Sequence, residues 1–351
     1  MYLKVSIKKK FEHFMLDADF EVREDIFALL GASGCGKSMT LKCIAGIEQP
    51  DEGLIILNDK VLFDSARHIN LPPQKRKVGY MFQDFALFPT MTVRKNIAAG
   101  MGKHADEKKV DSFVRRFQLT GLEHHYPREL SGGQKQRVAM ARMLASGPEA
   151  ILLDEPFSAL DSYLKWKLEQ EMKDLLLDVK KSVIFVSHDR DEVYHMCDTV
   201  ACMNEGHLEV IEPVKEFFRN PKTKTAAILS GCKNISKVEF IDEHTLWAND
   251  WNIRLRLDRA LKPEISYAAI RAHNFRQSPT SEQDLVFPVK KYRAIEDPFE
   301  WTMSFETGVE EKRTTENQSL QWKMSKNIWN FQIDKMPETL YVKPEDILLL
   351  E

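Results

Sequence analysis

Residues 31–38 read Gly-Ala-Ser-Gly-Cys-Gly-Lys-Ser, and no other stretch of this chain constrains the fold so tightly. The run fits G-x-x-x-x-G-K-[ST]. Apolar Phe27-Ala28-Leu29-Leu30 before it reads as a strand, and Met39-Thr40-Leu41-Lys42-Cys43-Ile44-Ala45 after it as a helix stopped at Gly46. Strand, glycine-rich loop and helix N-terminus, in that order, turn successive backbone N–H groups and a helix dipole toward a phosphate. Lys37 is expected to reach the β- and γ-phosphates of a nucleoside triphosphate, and the Ser38 hydroxyl to ligate Mg²⁺. The nucleotide contacts expected here are Ser33, Gly34, Cys35, Gly36, Lys37, Ser38 and Met39. An ordinary glycine turn is the competing reading, and the strand and helix on either side weigh against it.

A chain of 351 residues is long enough for two domains, and 43% hydrophobic with 29% charged residues is ordinary for a globular protein. The net charge of −3 gives no electrostatic reason to expect nucleic acid as a partner. No apolar run approaches the roughly 18 residues of a membrane span, and the lysines near the start are followed by no apolar segment of a secretion signal. The five cysteines are scattered without a C-x-x-C pair, so reduced thiols are expected.

Period and punctuation divide the chain. The first thirty residues alternate as strands, 2–7 and 14–22, and read as an antiparallel layer ahead of the phosphate loop. Residues 72–77 read as a polar loop before a short strand at 78–82. From about 84 to 146 apolar residues recur at helical steps, as in 108–117 and 132–145. Strand 151–153, a helix over 161–179, strand 183–186 and a helix over 190–197 then restore a β/α alternation. That pattern predicts an α/β core with a largely parallel sheet and a helical insertion at 84–146. Composition shifts near Pro221. After a short linker, strand-like runs recur at 246–247, 253–257, 267–270, 287–289, 301–305, 329–331, 340–342 and 347–349, predicting a small β-barrel-like module. Residues 269–275 and 341–347 share a pattern that suggests an internal repeat.

Further motifs bear on the chemistry. Leu130-Ser131-Gly132-Gly133-Gln134 opens a helix and would make a second anion site. With one phosphate cradle already at 31–38, a second is redundant unless two chains meet. Ile151-Leu152-Leu153-Asp154-Glu155 is an apolar strand ending in two acids; Asp154 is expected to hold Mg²⁺ and Glu155 to act as general base on water. Gln83, at the end of a strand, could reach the metal or the water, and His188, at the end of another, the γ-phosphate. Taken alone, paired acids and a lone histidine at strand ends are more often surface or structural groups. Together they lie on the edge where open α/β sheets bind ligands.

In this order the motifs resemble the ATP-binding subunit of an ABC transporter: phosphate loop 31–38, Gln83, signature 130–134, Asp154-Glu155, Ser158-Ala159-Leu160-Asp161 and His188. The resemblance covers roughly residues 1–220 and implies an α/β ABC ATPase with an antiparallel β layer and a helical subdomain. It further implies a linker at 221–231 and an all-β regulatory domain at 232–351. It implies ATP and Mg²⁺, and a head-to-tail homodimer in which Ser131, Gly132, Gly133, Gln134 and Asp161 of one subunit meet ATP on the other. Catalytic roles would fall to Glu155, His188 and Gln83, and metal contacts to Ser38, Gln83 and Asp154. An aromatic residue should stack on adenine, with Phe11 the choice and Tyr2 or Phe14 alternatives.

The β-rich tail resembles regulatory domains of importer subunits. Residues 71–83, 187–192 and 231–236 are similar to the molybdate and sulfate branch. The implied function is an ATPase that energises uptake of an oxyanion, molybdate first, with sulfate, tungstate, ferric iron and polyamine as alternatives. Permease subunits, contacted near Gln83 through Phe85, Phe88 and Met91, and indirectly a solute-binding protein, are the implied partners. Nucleic acid is not among them, and the cytoplasmic face of the membrane is the implied location. A non-transport ABC ATPase and an inactive cassette serving as sensor are the rivals; intact Lys37, Asp154, Glu155 and His188 weigh against the second.

Overall fold

In the computed structural model the described residues are 2–12, 14–102, 105–158, 162–307, 319–329 and 335–351. The chain divides into two compact units, Met1–Lys215 and Glu216–Glu351.

The first unit opens with β1 (Leu3–Lys10) and β2 (Met15–Val22), whose burial alternates along each strand because one face is covered. They pair antiparallel from Leu3 opposite Val22 to Lys10 opposite Met15. Next come β3 (Ile26–Gly31), α1 (Lys37–Ala45), β4 (Glu52–Leu57), β5 (Lys60–Asp64), β6 (Ile69–Asn70), α2 (Pro73–Arg76) and β7 (Val78–Met81). Helices α3 (Val93–Met101), α4 (Glu107–Arg116) and α5 (Gly132–Ala145) form the helical stretch. The chain then runs through β8 (Ala150–Asp154), α6 (Ser162–Val179), β9 (Ser182–Ser187), α7 (Arg190–Met196), β10 (Thr199–Asn204) and β11 (His207–Pro213).

Eleven strands make one sheet in the order β6-β5-β4-β1-β2-β11-β10-β3-β9-β8-β7. Strands β10, β3, β9, β8 and β7 are parallel neighbours. Every residue of β3, β8 and β9 is buried, as a parallel sheet covered on both faces requires. The antiparallel half joins the parallel half through one ladder pair, His207 with Asp17. A shared core of Leu3, Val5, Leu16, Phe20, Leu29, Leu41, Ile44, Leu152 and Ile184 spans both halves. The α/β class with its antiparallel layer is therefore the observed fold. The carboxyl ends of β3, β7, β8 and β9 lie on one sheet edge, because the strands are parallel.

The expected loop at 72–77 contains helix α2, with Pro73 at its first turn. Four residues carry no readable period, and the helix exists to deliver Arg76. That side chain is fully buried, and its guanidinium donates to the Cys43 and Ile44 carbonyls at 2.8 Å each, to the Leu71 carbonyl at 2.7 Å and to Asn70 Oδ1 at 2.8 Å. It thus closes the C-terminus of α1, where orphan carbonyls and the negative dipole end favour a cation. Gly46 follows with φ of 79°, and a Cβ there would lie 2.4 Å from Arg76 Nε, so glycine is required. On α6, Leu168, Met172 and Leu176 are the buried stripe, while Leu175 is only half-buried.

After α8 (Val214–Arg219) and α9 (Lys224–Leu229), the second unit holds β12 (Asn234–Asp242), β13 (Thr245–Ala248), β14 (Ile253–Arg256), β15 (Tyr267–Ile270) and β16 (Leu285–Pro288). It continues with β17 (Lys290–Glu296), β18 (Glu300–Glu306), β19 (Leu320–Ser325), β20 (Thr339–Val342) and β21 (Ile347–Leu350). These form sheets of five, two and three strands around one core that includes Trp251, Trp322, Phe275, Phe287 and Phe305. The unit is all-β apart from its leading helices and short 3-10 turns. Three of its strands escaped the sequence reading. Strand β17 is exposed along nearly its whole length, and β12 and β19 are rich in polar residues, so none shows a continuous apolar signal. Of the expected strand at 329–331, Trp329 lies outside any strand and the rest outside the described residues. The two similar segments share a shape: β15 runs into a 3-10 turn at Ala272–Asn274, and β20 into one at Pro344–Asp346.

Among the described residues, no helix is long and apolar enough to cross a membrane.

Candidate active site

Strand β3 ends at Gly31 and α1 begins at Lys37, so the loop between them projects from the carboxyl edge of the sheet. Backbone shape there demands glycine. Gly36 has φ of 112°, and a Cβ on Gly31 would sit 2.3 Å from the Met203 carbonyl oxygen. Lys37 is buried and turns its ammonium back to the loop, donating to the carbonyls of Gly31 and Ala32 at 2.8 Å each, with Cys35 Sγ at 3.8 Å. Ser33 and Gly34 are exposed at the loop tip, Cys35 and Gly36 are buried beneath it, and Met39 is half-buried.

One helical position on, the Ser38 hydroxyl donates to Asp154 Oδ1 at 2.7 Å. Asp154 ends β8, two strands away from β3, and is itself nearly buried. Its other oxygen, Oδ2, accepts from the Tyr80 phenol at 2.7 Å. Burial, with the bond to Asp154, pushes the Tyr80 phenol well above its ordinary value, so it stays a donor. Both carboxylate oxygens of Asp154 are thus oriented by neutral O–H groups. The set is two oxygens of hard-donor type, a hydroxyl and a carboxylate, which is what Mg²⁺ takes from protein beside phosphate oxygens and water.

Glu155 lies just past the strand, with φ of 46° in the left-handed region, which for a non-glycine costs on the order of 1–3 kcal/mol. The conformation is over-determined. Its N–H donates to the Val186 carbonyl at 3.0 Å, and its own carbonyl accepts from the Ser158 N–H at 3.2 Å and hydroxyl at 2.9 Å. The buried Gln136 amide, on α5, donates to the next carbonyl, Pro156, at 3.3 Å. The turn aims the carboxylate at two partners: His188 Nδ1 lies 3.1 Å from Oε1, and Gln83 Nε2 a long 3.5 Å from Oε2. Against a carboxylate, Nδ1 must be the donor. Gln83, Glu155 and His188, from three different strand ends, therefore converge.

This geometry has relatives. A family model described as ABC transporter matches residues 16–158. The Fe(3+) ions import ATP-binding protein FbpC 2 of Haemophilus influenzae is 38% identical over 265 residues, 74% of this chain and 74% of the relative. The chain belongs to the ABC transporter family, among the ATP-binding subunits of importers. The spermidine/putrescine import protein PotA of Bacillus cereus is 41% identical over 223 residues, 62% of this chain and 66% of the relative. The sulfate/thiosulfate import protein CysA of Synechococcus elongatus is 40% identical over 237 residues, 65% and 67% respectively. Among solved structures, the ATP-binding cassette MJ0796 in its dimeric, ADP- and Pi-bound form superposes with a TM-score of 0.52 at 27% identity, covering 61% of this chain and 99% of that one.

The ABC subunit is an ATPase, and its second glycine-rich motif opens a different helix from the first. Ser131 caps α5: its hydroxyl accepts from the Gln134 N–H at 3.3 Å, while Gln134 Oε1 accepts from the Ser131 N–H at 2.9 Å. Ser131 is exposed, Gly132 and Gln134 are half-buried, and Gly133 is buried, with a Cβ there 3.0 Å from Leu168. Among the described residues, no hydrogen bond joins 131–134 to the loop at 31–38. Asp161 lies outside the described residues. Phe11 and Phe14 stack on each other with centroids 4.7 Å apart, and Phe14 reaches to 3.4 Å of a Cβ position on Gly36. Tyr2 is held elsewhere, at the opposite end of β1, by its phenol on Glu21 at 2.7 Å.

Of the three residues expected at a permease contact in this ABC subunit, Phe85 is the exception, because it is buried. Arg142 on α5 draws the Phe85 and Ala86 carbonyls inward at 2.9 and 2.7 Å, which folds that side chain under the loop. Phe88 is 45% exposed, beneath the Arg142 guanidinium at 5.1 Å, and Met91 is half-buried. Sequence reasoning missed three supporting residues: Tyr80, Gln136 and Asn96. Asn96 is fully buried, its amide accepting from the Phe88 N–H at 2.9 Å and donating to the Met91 carbonyl at 3.0 Å. The available signal was polarity out of place: a tyrosine in a short apolar strand and amides on the buried faces of helices.

Proposed function

We propose that this subunit hydrolyses ATP at the 31–38 loop to drive import of an oxyanion, molybdate first. The observation that carries the catalytic half is the convergence of Gln83 and His188 on Glu155 beside the Ser38–Asp154 pair. Lys37 would exchange the Gly31 and Ala32 carbonyls for β- and γ-phosphate oxygens, and Ser33, Gly34, Cys35, Gly36 and Met39 would line the phosphates. Ser38 and Asp154, with Gln83 at the rim, would hold Mg²⁺, which when bound neutralises developing charge on the phosphates. Glu155 takes the proton of the attacking water as the bond to the γ-phosphorus forms and ADP leaves. His188 holds that carboxylate in line, and Gln83 positions the water. Phe11, stacked on Phe14, would carry adenine.

The capped Ser131, with Gly132, Gly133 and Gln134, and Asp161, would complete the site from a second copy arranged head to tail. Ser131 stands exposed at a helix N-terminus and, among the described residues, makes no hydrogen bond to its own phosphate loop, which supports that reading, as does the dimeric form of MJ0796. We place the subunit on the cytoplasmic face of a membrane, with permease subunits docking near exposed Phe88 and a solute-binding protein acting through them. The domain division proposed is 1–220 for the ATPase, 221–231 for the linker and 232–351 for regulation.

Molybdate is favoured by the likeness of residues 71–83, 187–192 and 231–236 to that branch. Ferric iron is the second reading, favoured by the 74% coverage of the iron-import relative. Polyamine and sulfate follow from the other two. ATPase activity of the reconstituted complex with permease and solute-binding protein separates them. Stimulation by molybdate is expected; stimulation by ferric iron, spermidine or sulfate alone would replace it.

A further inference from the structure

His188 is flanked by a closed ring of side chains that its role against Glu155 does not use. Ser187, almost wholly buried, donates its hydroxyl to Glu192 Oε2 at 2.6 Å and accepts from the Asp189 N–H at 2.9 Å. Glu192 is 4% exposed, and its other oxygen, Oε1, meets the Lys165 ammonium at 2.6 Å. The same ammonium reaches Asp189 Oδ2 at 2.5 Å, and Asp189 Oδ1 accepts from the Asp191 N–H at 2.9 Å. The circuit runs Lys165, Asp189, Ser187, Glu192 and back to Lys165. The peptides of 187–189 form one side of it, with His188 in the middle. The other members lie on the continuous run from the end of β9 into α7, whereas Lys165 comes from α6, which begins directly after 159–161.

We infer that Lys165 is a positioning residue for His188, holding the 187–189 loop at the place where the imidazole meets Glu155. The inference rests on the role proposed above for His188. Charge makes the lysine the keystone. Without it, two carboxylates, one of them buried, face each other, with Glu169, also 4% exposed, one turn further along α6. Paired buried charges are stable as a set and unstable when one partner is removed. Opening the ring therefore moves the 187–189 loop, while the phosphate loop, Ser38 and Asp154, on other elements, keep their places.

The test is a mutant cycle in the full chain, read as kcat at saturating MgATP alongside the Kd for ATP. Because a catalytic group misplaced by about 1 Å loses on the order of 100-fold, K165M is expected to lower kcat at least about 10-fold. Its Kd for ATP should stay within about 2-fold of wild type, which also reports that it is folded. K165M/E192Q should recover most of the loss, since a glutamine amide can accept from Ser187 and donate to Asp189, closing the ring without a cation. K165M added to H188A should cost nothing further, because residues acting through one another are not additive. Wild-type kcat in K165M, or a full additional loss on top of H188A, overturns the inference. If K165M does not fold, E192A opens the ring from its other side and leaves Lys165 on Asp189; the same loss is then expected, and an unchanged kcat refutes the idea. H188A measured alone separates the two readings. If it is impaired while K165M is not, only the role of Lys165 falls; if it turns over normally, the role of His188 falls first.

Discussion

Nδ1 of His188 lies 3.1 Å from Oε1 of Glu155, so the residue just past one strand holds the carboxylate just past another. Replacing Glu155 by Gln keeps the shape and removes the base. Turnover is expected to fall about 10²–10⁴-fold, the usual worth of a general base. ATP should still bind and should hold the protein as a dimer by size-exclusion chromatography. Undiminished turnover would reject the assignment of Glu155.

Activity should depend on protein concentration if the site is completed by a second copy. At low concentration ATP binding persists and specific activity falls; Ser131→Arg, which fills the helix N-terminus of α5, should abolish turnover and spare ATP binding. A specific activity flat across dilution, with a monomer by light scattering, contradicts the two-copy site.

Tyr80 stays a protonated donor to Asp154 across any working pH, because burial and that bond both raise its phenol. Tyr80→Phe removes one of the two groups that orient the carboxylate. Groups that orient a metal ligand are commonly worth about 10–100-fold in metal affinity, so the Mg²⁺ concentration at half-maximal ATPase should rise about 10-fold. Overall stability should drop by only about 1 kcal/mol, the net worth of one hydrogen bond.

Arg76→Met leaves the Cys43 and Ile44 carbonyls at the end of α1 without their donor. With two orphan carbonyls at roughly 1–3 kcal/mol each, a loss of about 3 kcal/mol is expected in urea unfolding. Nucleotide affinity should weaken too, since α1 carries Lys37 and Ser38. A shift below about 0.5 kcal/mol would mean that water replaces the guanidinium.

Acid should act on Asp189. Burial raises its carboxyl, but the Lys165 ammonium and the Asp191 N–H lower it by more, leaving the native value below the ordinary one of about 3.9. A depressed carboxylate contributes stability that is present above the unfolded value and is lost as pH falls through the native value. Wild type should therefore be more stable than Asp189→Asn above about pH 4, and the two should converge below it. Equal stability throughout would refute the coupling. By the same logic of burial, the Cys43 and Cys202 thiols, raised to about 12, should resist alkylation at neutral pH until the protein is unfolded, which mass spectrometry of labelled peptides can read.

The residues legible in the sequence are those whose meaning is local. The 31–38 loop, Asp154-Glu155 and His188 each sit at a strand end that adjacent residues announce. Tyr80, Arg76 and Lys165 were not legible, because each takes its meaning from a partner far along the chain. Tyr80 and Asp154 are 74 positions apart, and Arg76 and Cys43 are 33. Helix α2 was too short for a period, and β17 has no buried face to alternate. Phe85 misled because an aromatic in a loop was read as surface, whereas Arg142 had pulled its backbone inward.

Strands β2 and β11 share one rung of ladder, with the Asp17 N–H on the Gly206 carbonyl at 2.8 Å beside it. Beyond it the two halves share a buried apolar core, and packing, unlike a ladder, has no register to defend. The Phe11–Phe14 stack belongs to one bank and the phosphate loop to the other. A nucleotide gripped by base and phosphates together would act as a rivet between them. Its cleavage and release would take that rivet out and leave the seam to its single rung and the shared core beneath it.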